Sequence, residues 1–178
     1  MEKVQLEITG IEYSQTHSGS YVLHLKEIHG NRHMTIVIGS FEAQAIAIEL
    51  EKMTPTRPLT HDLFKNFADR FDIVVKQVII HKLVDGVFYS SLICERDKIE
   101  EIIDTRTSDA IALATRFNAP IFTYENILDK AGIYLKIKDG MEIKSTSNSN
   151  VIFRTTDSVD FENPIDREID VYERDSTG

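Results

Sequence analysis

The sequence is short of cysteine, of positive charge and of long apolar runs. Its single Cys94 cannot make an internal disulfide, and it sits in the apolar run Tyr89-Ser90-Ser91-Leu92-Ile93-Cys94. A buried thiol in a reducing cytoplasm is therefore expected. No stretch approaches the ~20 apolar residues that a membrane span needs. Met1-Glu2-Lys3-Val4 has no basic segment followed by an apolar one, so neither a signal peptide nor a membrane partner is expected. The chain has 20 Lys and Arg against 29 Asp and Glu, a net charge of −9. That argues against broad non-specific binding to nucleic acid, which rests on cations neutralising phosphates. Paired cysteines for zinc and a His-Glu-x-x-His motif are missing. Gly39-Ser40-Phe41 is not a phosphate loop, because no Gly-Lys-Ser/Thr follows it.

What remains is enough for one folded domain. At 178 residues, 42% of them hydrophobic, the chain can fill a core. The acid is uneven: from Ser145 onward eight carboxylates face three arginines, a net −5, which leaves −4 on the preceding 144 residues. The reading places a domain over 1–138 and an acidic, weakly ordered tail over 139–178, because the tail has little apolar surface to offset ordering entropy. Within the tail, Val151–Phe153 is a candidate edge strand.

Alternating patterns predict strands over 3–13, Tyr21–Ile28, Met34–Ile38, Ile73–Lys82, Val87–Glu95, Ile99–Asp104 and Ile121–Thr123. Helices are expected over Phe41–Met53, Leu59–Phe71, Thr107–Phe117 and Glu125–Ala131, with Gly132 as a left-handed stop. Hairpin turns fall at Gly30-Asn31, where both residues tolerate positive φ, and at Asp85-Gly86. Hairpins require antiparallel neighbours. The fold class is therefore α+β: a mostly antiparallel, curved sheet packed against three main helices. Ala45-Ile46-Ala47-Ile48-Glu49 and Ala110-Ile111-Ala112-Leu113-Ala114 echo each other, and their small residues let a helix approach a sheet closely. The helix Phe41–Met53 is apolar around much of its girth, which predicts a homodimer that covers it.

Two stretches carry the chemistry: Arg57-Pro58-Leu59-Thr60-His61-Asp62 and Asp104-Thr105-Arg106-Thr107-Ser108-Asp109. Thr60 and Ser108, like Ser40 before the first helix, suit a helix N-cap, and Asp62 and Asp109 suit a first turn. Capping leaves Arg57, His61, Asp104 and Arg106 unexplained. His61 suits a general base or metal ligand, since imidazole titrates near neutrality. Arg57 and Arg106, with Ser108, suit phosphate. Asp62, Asp104 and Asp109 complete the candidate catalytic set, and Asp85 with Asp104 could hold a divalent cation such as Mg²⁺ beside phosphate oxygens. The competing reading makes both stretches salt-bridged structural corners. His17, His24, His29 and His33 read as surface residues, and His81 as structural. A single site requires the two stretches to converge.

Together, Gly39-Ser40-Phe41-Glu42-Ala43-Gln44-Ala45, Arg57-Pro58-Leu59-Thr60-His61-Asp62-Leu63, Asp85-Gly86-Val87-Phe88-Tyr89 and Asp104-Thr105-Arg106-Thr107-Ser108-Asp109-Ala110-Ile111-Ala112 occur in an order that closely resembles the bifunctional nuclease family. The resemblance covers roughly Met1–Gly132. It implies a compact α+β domain that tends to self-associate, and DNase and RNase activity, hence nucleic acid as substrate. Two departures stand out. Thr107 replaces a usual Pro, which is expected to loosen that corner. An acidic tail stands where some relatives carry a small helical interaction motif.

Overall fold

The structure is a computed structural model that describes residues 2–132 and the backbone of 133–134 and 151–153. Apart from that short backbone segment, the expected tail over 139–178 lies outside the described residues. Strands β1 (Lys3–Tyr13), β2 (Ser20–Glu27) and β3 (Arg32–Gly39) form an antiparallel meander that leads into helix α1 (Ser40–Leu50). After α2 (Thr60–Arg70) the same unit recurs: β4 (Val74–Val84), β5 (Val87–Arg96) and β6 (Ile99–Arg106) lead into α3 (Thr107–Phe117). Strand β7 (Ile121–Tyr124) joins the two meanders, parallel to β4 and antiparallel to β1. Helix α4 (Glu125–Ala131) then delivers β8 (Ile133–Tyr134) to the outer side of β3. The sheet order is β6-β5-β4-β7-β1-β2-β3-β8. The fold is thus a single α+β domain with seven main strands, mostly antiparallel, and three long helices. The anticipated strand β9 (Val151–Phe153) pairs antiparallel with β1 alone, beside Ile11 and Glu12.

The echo between the two alanine-rich runs has a structural cause. It falls on α1 and α3, at the same place in each three-strand unit, and the two helices pack together. Ala43, Ala45, Ile46 and Ala47 on one, and Ala110 through Ala114 on the other, are buried. Small side chains permit that approach. Most of the apolar girth of α1 is therefore met by α3 and by strands β2 and β3 of its own chain. Only Phe41 at its start and Met53 beyond its end stay well exposed. The reason given for a dimer from α1 does not hold.

The helix starts differ from expectation by one residue. Gly39, Leu59 and Arg106 occupy the extended cap positions, and no side chain caps α1, α2 or α3 from there. Ser40, Thr60 and Thr107 are already helical, with Ser108 one residue further in. Strands β3 and β6 run straight into α1 and α3, so the last strand residue becomes the cap. For α2 the cap N–H of Leu59 is satisfied from inside, by Asp62 Oδ2 at 2.8 Å. Turn chemistry is mixed. Asp85 and Gly86 take φ of 51° and 78°, the hairpin geometry expected of them. Neither Gly30 nor Asn31 has positive φ. A side chain at Gly30 would instead strike the Glu27 carboxylate. Likewise Gly132, at φ −77°, is no left-handed stop; a side chain there would meet the Leu128 carbonyl.

Glu27 is fixed because Arg32 holds it. Arg32 is buried, and it donates from Nε and Nη2 to the two Glu27 oxygens, each at 2.9 Å. It also reaches Glu125 at 2.6 and 3.0 Å, which ties β3 to α4. The bond from Arg32 holds the Glu27 carboxyl below its ordinary value, and the two carboxylates push the guanidinium up. A group with a lowered folded value stabilises above its unfolded value and loses that contribution as pH falls through the folded one. Arg32→Ala should cost about 2 kcal/mol by urea denaturation at neutral pH, because it removes the charged hydrogen bonds that join half-buried Glu27 to Glu125. Acidification below the ordinary carboxylate range should shrink the gap between wild type and variant. A gap that stays constant to pH 3 would refute this account.

Candidate active site

The two charged stretches converge through the packing of α2 on α3. Asp109 and Arg116 stand seven residues apart on α3, two turns along one face. His61 and Asp62 are neighbours in the first turn of α2. His61 Nε2 lies 3.1 Å from Asp109 Oδ1, and Arg116 Nε donates to Asp62 Oδ1 at 2.6 Å. The second Asp62 oxygen accepts the Leu59 N–H, so both oxygens are committed. Arg116 Nη1 donates to the Ala45 and Ala112 carbonyls, each at 3.0 Å. One guanidinium, its side chain 1% exposed, therefore binds α1, α2 and α3 together.

Asp109 is the hub of the open side. Arg106, the last residue of β6, donates Nε to Asp109 Oδ2 at 2.7 Å and Nη2 to Oδ1 at 3.0 Å. Its Nη1 sits 2.8 Å from Glu42 Oε1 in the first turn of α1. The result is a chain, His61–Asp109–Arg106–Glu42, at the rim of three helices. Asp109 first, then Glu42, push the Arg106 guanidinium up, so it stays cationic. At the strand-to-helix corner, buried Thr107 Oγ1 and buried Ser90 Oγ lie 2.7 Å apart.

The structure thus gathers His61, Asp62, Asp109 and Arg106. It does not gather the rest. Asp104 is exposed on β6, Asp85 is exposed at the β4–β5 tip, and Arg57 is exposed before α2. Ser108 is half-buried in the first turn of α3. Among the described residues no three of His, Cys, Asp and Glu come together to hold a metal ion. Register sets Asp104 opposite Ser91, along β5 from the tip that carries Asp85, and Asp109 already spends both oxygens on Arg106 and His61. The donor set does not fit a divalent cation. Two contributors escaped the sequence reading, Arg116 and Glu42. Arg116 looked like an ordinary cation in the last turn of a helix, where it suits the dipole.

A model of the bifunctional nuclease domain matches residues 23–136, well over half of the chain. The chain belongs to the bifunctional nuclease domain family. The match runs from β2 past α4 and so contains all of the His61–Asp109–Arg106–Glu42 chain. Two mycobacterial proteins are similar along nearly the full length. They are the uncharacterized proteins MT1877 and Rv1829, from Mycobacterium tuberculosis strains CDC 1551 / Oshkosh and ATCC 25618 / H37Rv. Each is 33% identical over 162 residues, covering 91% of this chain and 96% of the relative.

The buried half of this site is open to a stability test. Asp62→Ala should destabilise by about 3–5 kcal/mol, because it leaves the Arg116 charge buried without its carboxylate. Arg116→Met, which removes the charge and keeps much of the stem, should cost less than Asp62→Ala. The reverse order in chemical denaturation would mean that Arg116 does not depend on Asp62.

Proposed function

We propose that this protein hydrolyses phosphodiester bonds of DNA or RNA at the His61–Asp109 pair. The observation that carries the reading is the 3.1 Å contact between residues 48 positions apart in sequence. Membership of a nuclease-domain family supports the reaction class. An ionised Asp109 is an acceptor only, so the bonded Nε2 of His61 carries the proton and Nδ1 keeps the lone pair. That tautomer is assigned from the bond. Nδ1 then takes a proton from a water whose oxygen attacks phosphorus, the P–O bond to the leaving sugar oxygen breaks, that oxygen takes a proton from solvent, and Arg106 steadies the phosphate oxygens. Asp62 is reassigned from chemistry to support, since both its oxygens are used. Asp104, Ser108 and Asp85 have no part in this scheme. A nuclease assay on DNA and RNA, with and without EDTA, tests it. His61→Ala should lower the rate about 10²- to 10⁴-fold, the usual span of one general base. Asp109→Asn should follow it down. Activity unchanged in both variants sinks the proposal.

One observation favours a second reading, a non-catalytic binding or regulatory module. Arg106 and Asp62 are both engaged in ion pairs, as structural corners would be. Protein that is pure, folded and inactive on every nucleic acid tested would select it.

Assembly belongs to the proposal too. Helix α2 buries only Ala68 fully and leaves Leu63, Phe64, Phe67 and Phe71 exposed on one stripe. Apolar stripes of this kind mark interfaces. We place the homodimer there, and not on α1. Light scattering at micromolar concentration should give twice the chain mass, and Phe67→Lys should halve it. A monomer in both cases removes the dimer. A reducing cytoplasm suits buried Cys94, whose thiol burial pushes up and makes unreactive.

A further inference from the structure

Beyond the hydrolytic pair, the sheet carries a row of side chains that nothing above has used. Strand register sets Lys82 opposite Tyr89 on β4 and β5, and Tyr89 opposite Arg106 on β5 and β6. Directly opposed residues project from the same face of a sheet. The three side chains therefore form one line across three strands, about 10 Å long at the usual strand spacing. The neighbours of Tyr89 confirm which face this is. Phe88 packs against the core and Ser90 is buried, so Tyr89 turns the other way. All three members are open: Tyr89 is 39% exposed, the Arg106 side chain is 68% exposed, and Lys82 is exposed. Lys82 Nζ stands 5.0 Å from the centre of the Tyr89 ring.

We propose that Lys82, Tyr89 and Arg106 bind a single strand of nucleic acid, one base lying on the tyrosine and the flanking phosphates on the two cations. This rests on the nuclease reading and gives its substrate a path. An aromatic ring stacks any base through its π-face, and cations track the backbone. A paired base cannot lie on the ring without leaving its stack, so the row selects single strands over duplex. Arg106 belongs to both structures. Its contacts with Asp109 and Glu42 leave at least two of its five N–H groups for a phosphate. A strand on the row is thus one residue from the carboxylate that holds His61. Asp104, two residues back on the same face of β6, and Asp85 at the hairpin tip flank the row. Their negative charge repels phosphates from the surface beside the row.

Fluorescence anisotropy with labelled dodecamers of deoxythymidine and of uridine, in EDTA, tests the row on the full chain. Tyr89→Ala should weaken binding roughly 5- to 150-fold, the span of one lost base stack. Tyr89→Phe, which keeps the ring, should bind like wild type. Lys82→Ala should weaken binding and reduce the salt slope by about 0.7, one phosphate on a single strand. Duplex of the same length should bind more weakly than either single strand. Equal affinity across wild type, Tyr89→Ala and Lys82→Ala overturns the row, as does wild type that binds no strand at all. So does a Tyr89→Ala chain whose mass by light scattering halves at unchanged affinity, for then the face is a protein interface. The two readings fail separately. Binding that needs Tyr89 in a protein without cleavage keeps the row and loses the hydrolase. Cleavage that needs His61, with Tyr89→Ala equal to wild type in affinity, does the reverse.

Discussion

Everything at the site depends on one buried guanidinium. Arg116 reaches a carboxylate on α2 and backbone carbonyls on α1 and α3. A buried charge is tolerated only when a counter-ion and further hydrogen bonds replace water, and here three elements supply them. Its Nη2 is buried without a partner among the described residues, so the replacement is incomplete. Such an arrangement stabilises less than an apolar one and specifies more. Helix α2 shows why specification matters, because it fully buries only Ala68. Apolar burial alone would let it slide or roll on α3. The Asp62–Arg116 pair fixes its first turn, and the adjacent His61 then meets Asp109.

The same logic explains why the site sits where it does. Two three-strand units, each ending in a helix, bring α1 and α3 side by side with their first turns at one rim. Glu42 and Asp109 occupy those first turns, where backbone N–H groups favour negative charge. Two carboxylates so placed would repel each other across the rim. Arg106 lies between them and contacts both. The repeat of the fold thus creates the electrostatic problem, and the strand-to-helix corner of one unit supplies the cation that solves it.

Much of this was legible in the sequence, and the failures share a cause. Strands, helices and the Asp85-Gly86 hairpin follow from alternation, from 3.6-residue periodicity and from turn chemistry, all of which act locally. The stretch from Asp104 to Asp109 misled because its period changes at Thr107. Before that point successive side chains alternate across a strand; after it they wind around a helix. Asp104 stays on the sheet while Asp109 turns to meet α2, although five residues separate them. Arg116 and Glu42 were invisible for a related reason. Each looks like an ordinary helix-end charge, and its partner lies on another element, Asp62 on α2 for Arg116 and Arg106 at the end of β6 for Glu42. The hydroxyl caps failed because a strand that runs directly into a helix supplies its own extended cap residue.

A net charge of −9 does not by itself settle whether such a protein holds a phosphate. Charges more than about 8 Å apart in solvent are largely screened at physiological ionic strength, so most of the acid does not act on any one cation. What acts is the local set. Around Asp109 that set is His61, Arg106 and Glu42, with Asp62 neutralised by Arg116 beneath them. Arg106 is shared by two carboxylates, and a phosphate must join that arrangement as a third anion. Arg57, exposed before α2 and without an ion pair among the described residues, is not held at this rim. In the proposed reading, phosphate binding at this rim rests on Arg106, held in place by Asp109 and Glu42, and the acidic surface around it disfavours binding elsewhere. Discrimination of that kind comes from what the rest of the surface repels as much as from what the site attracts.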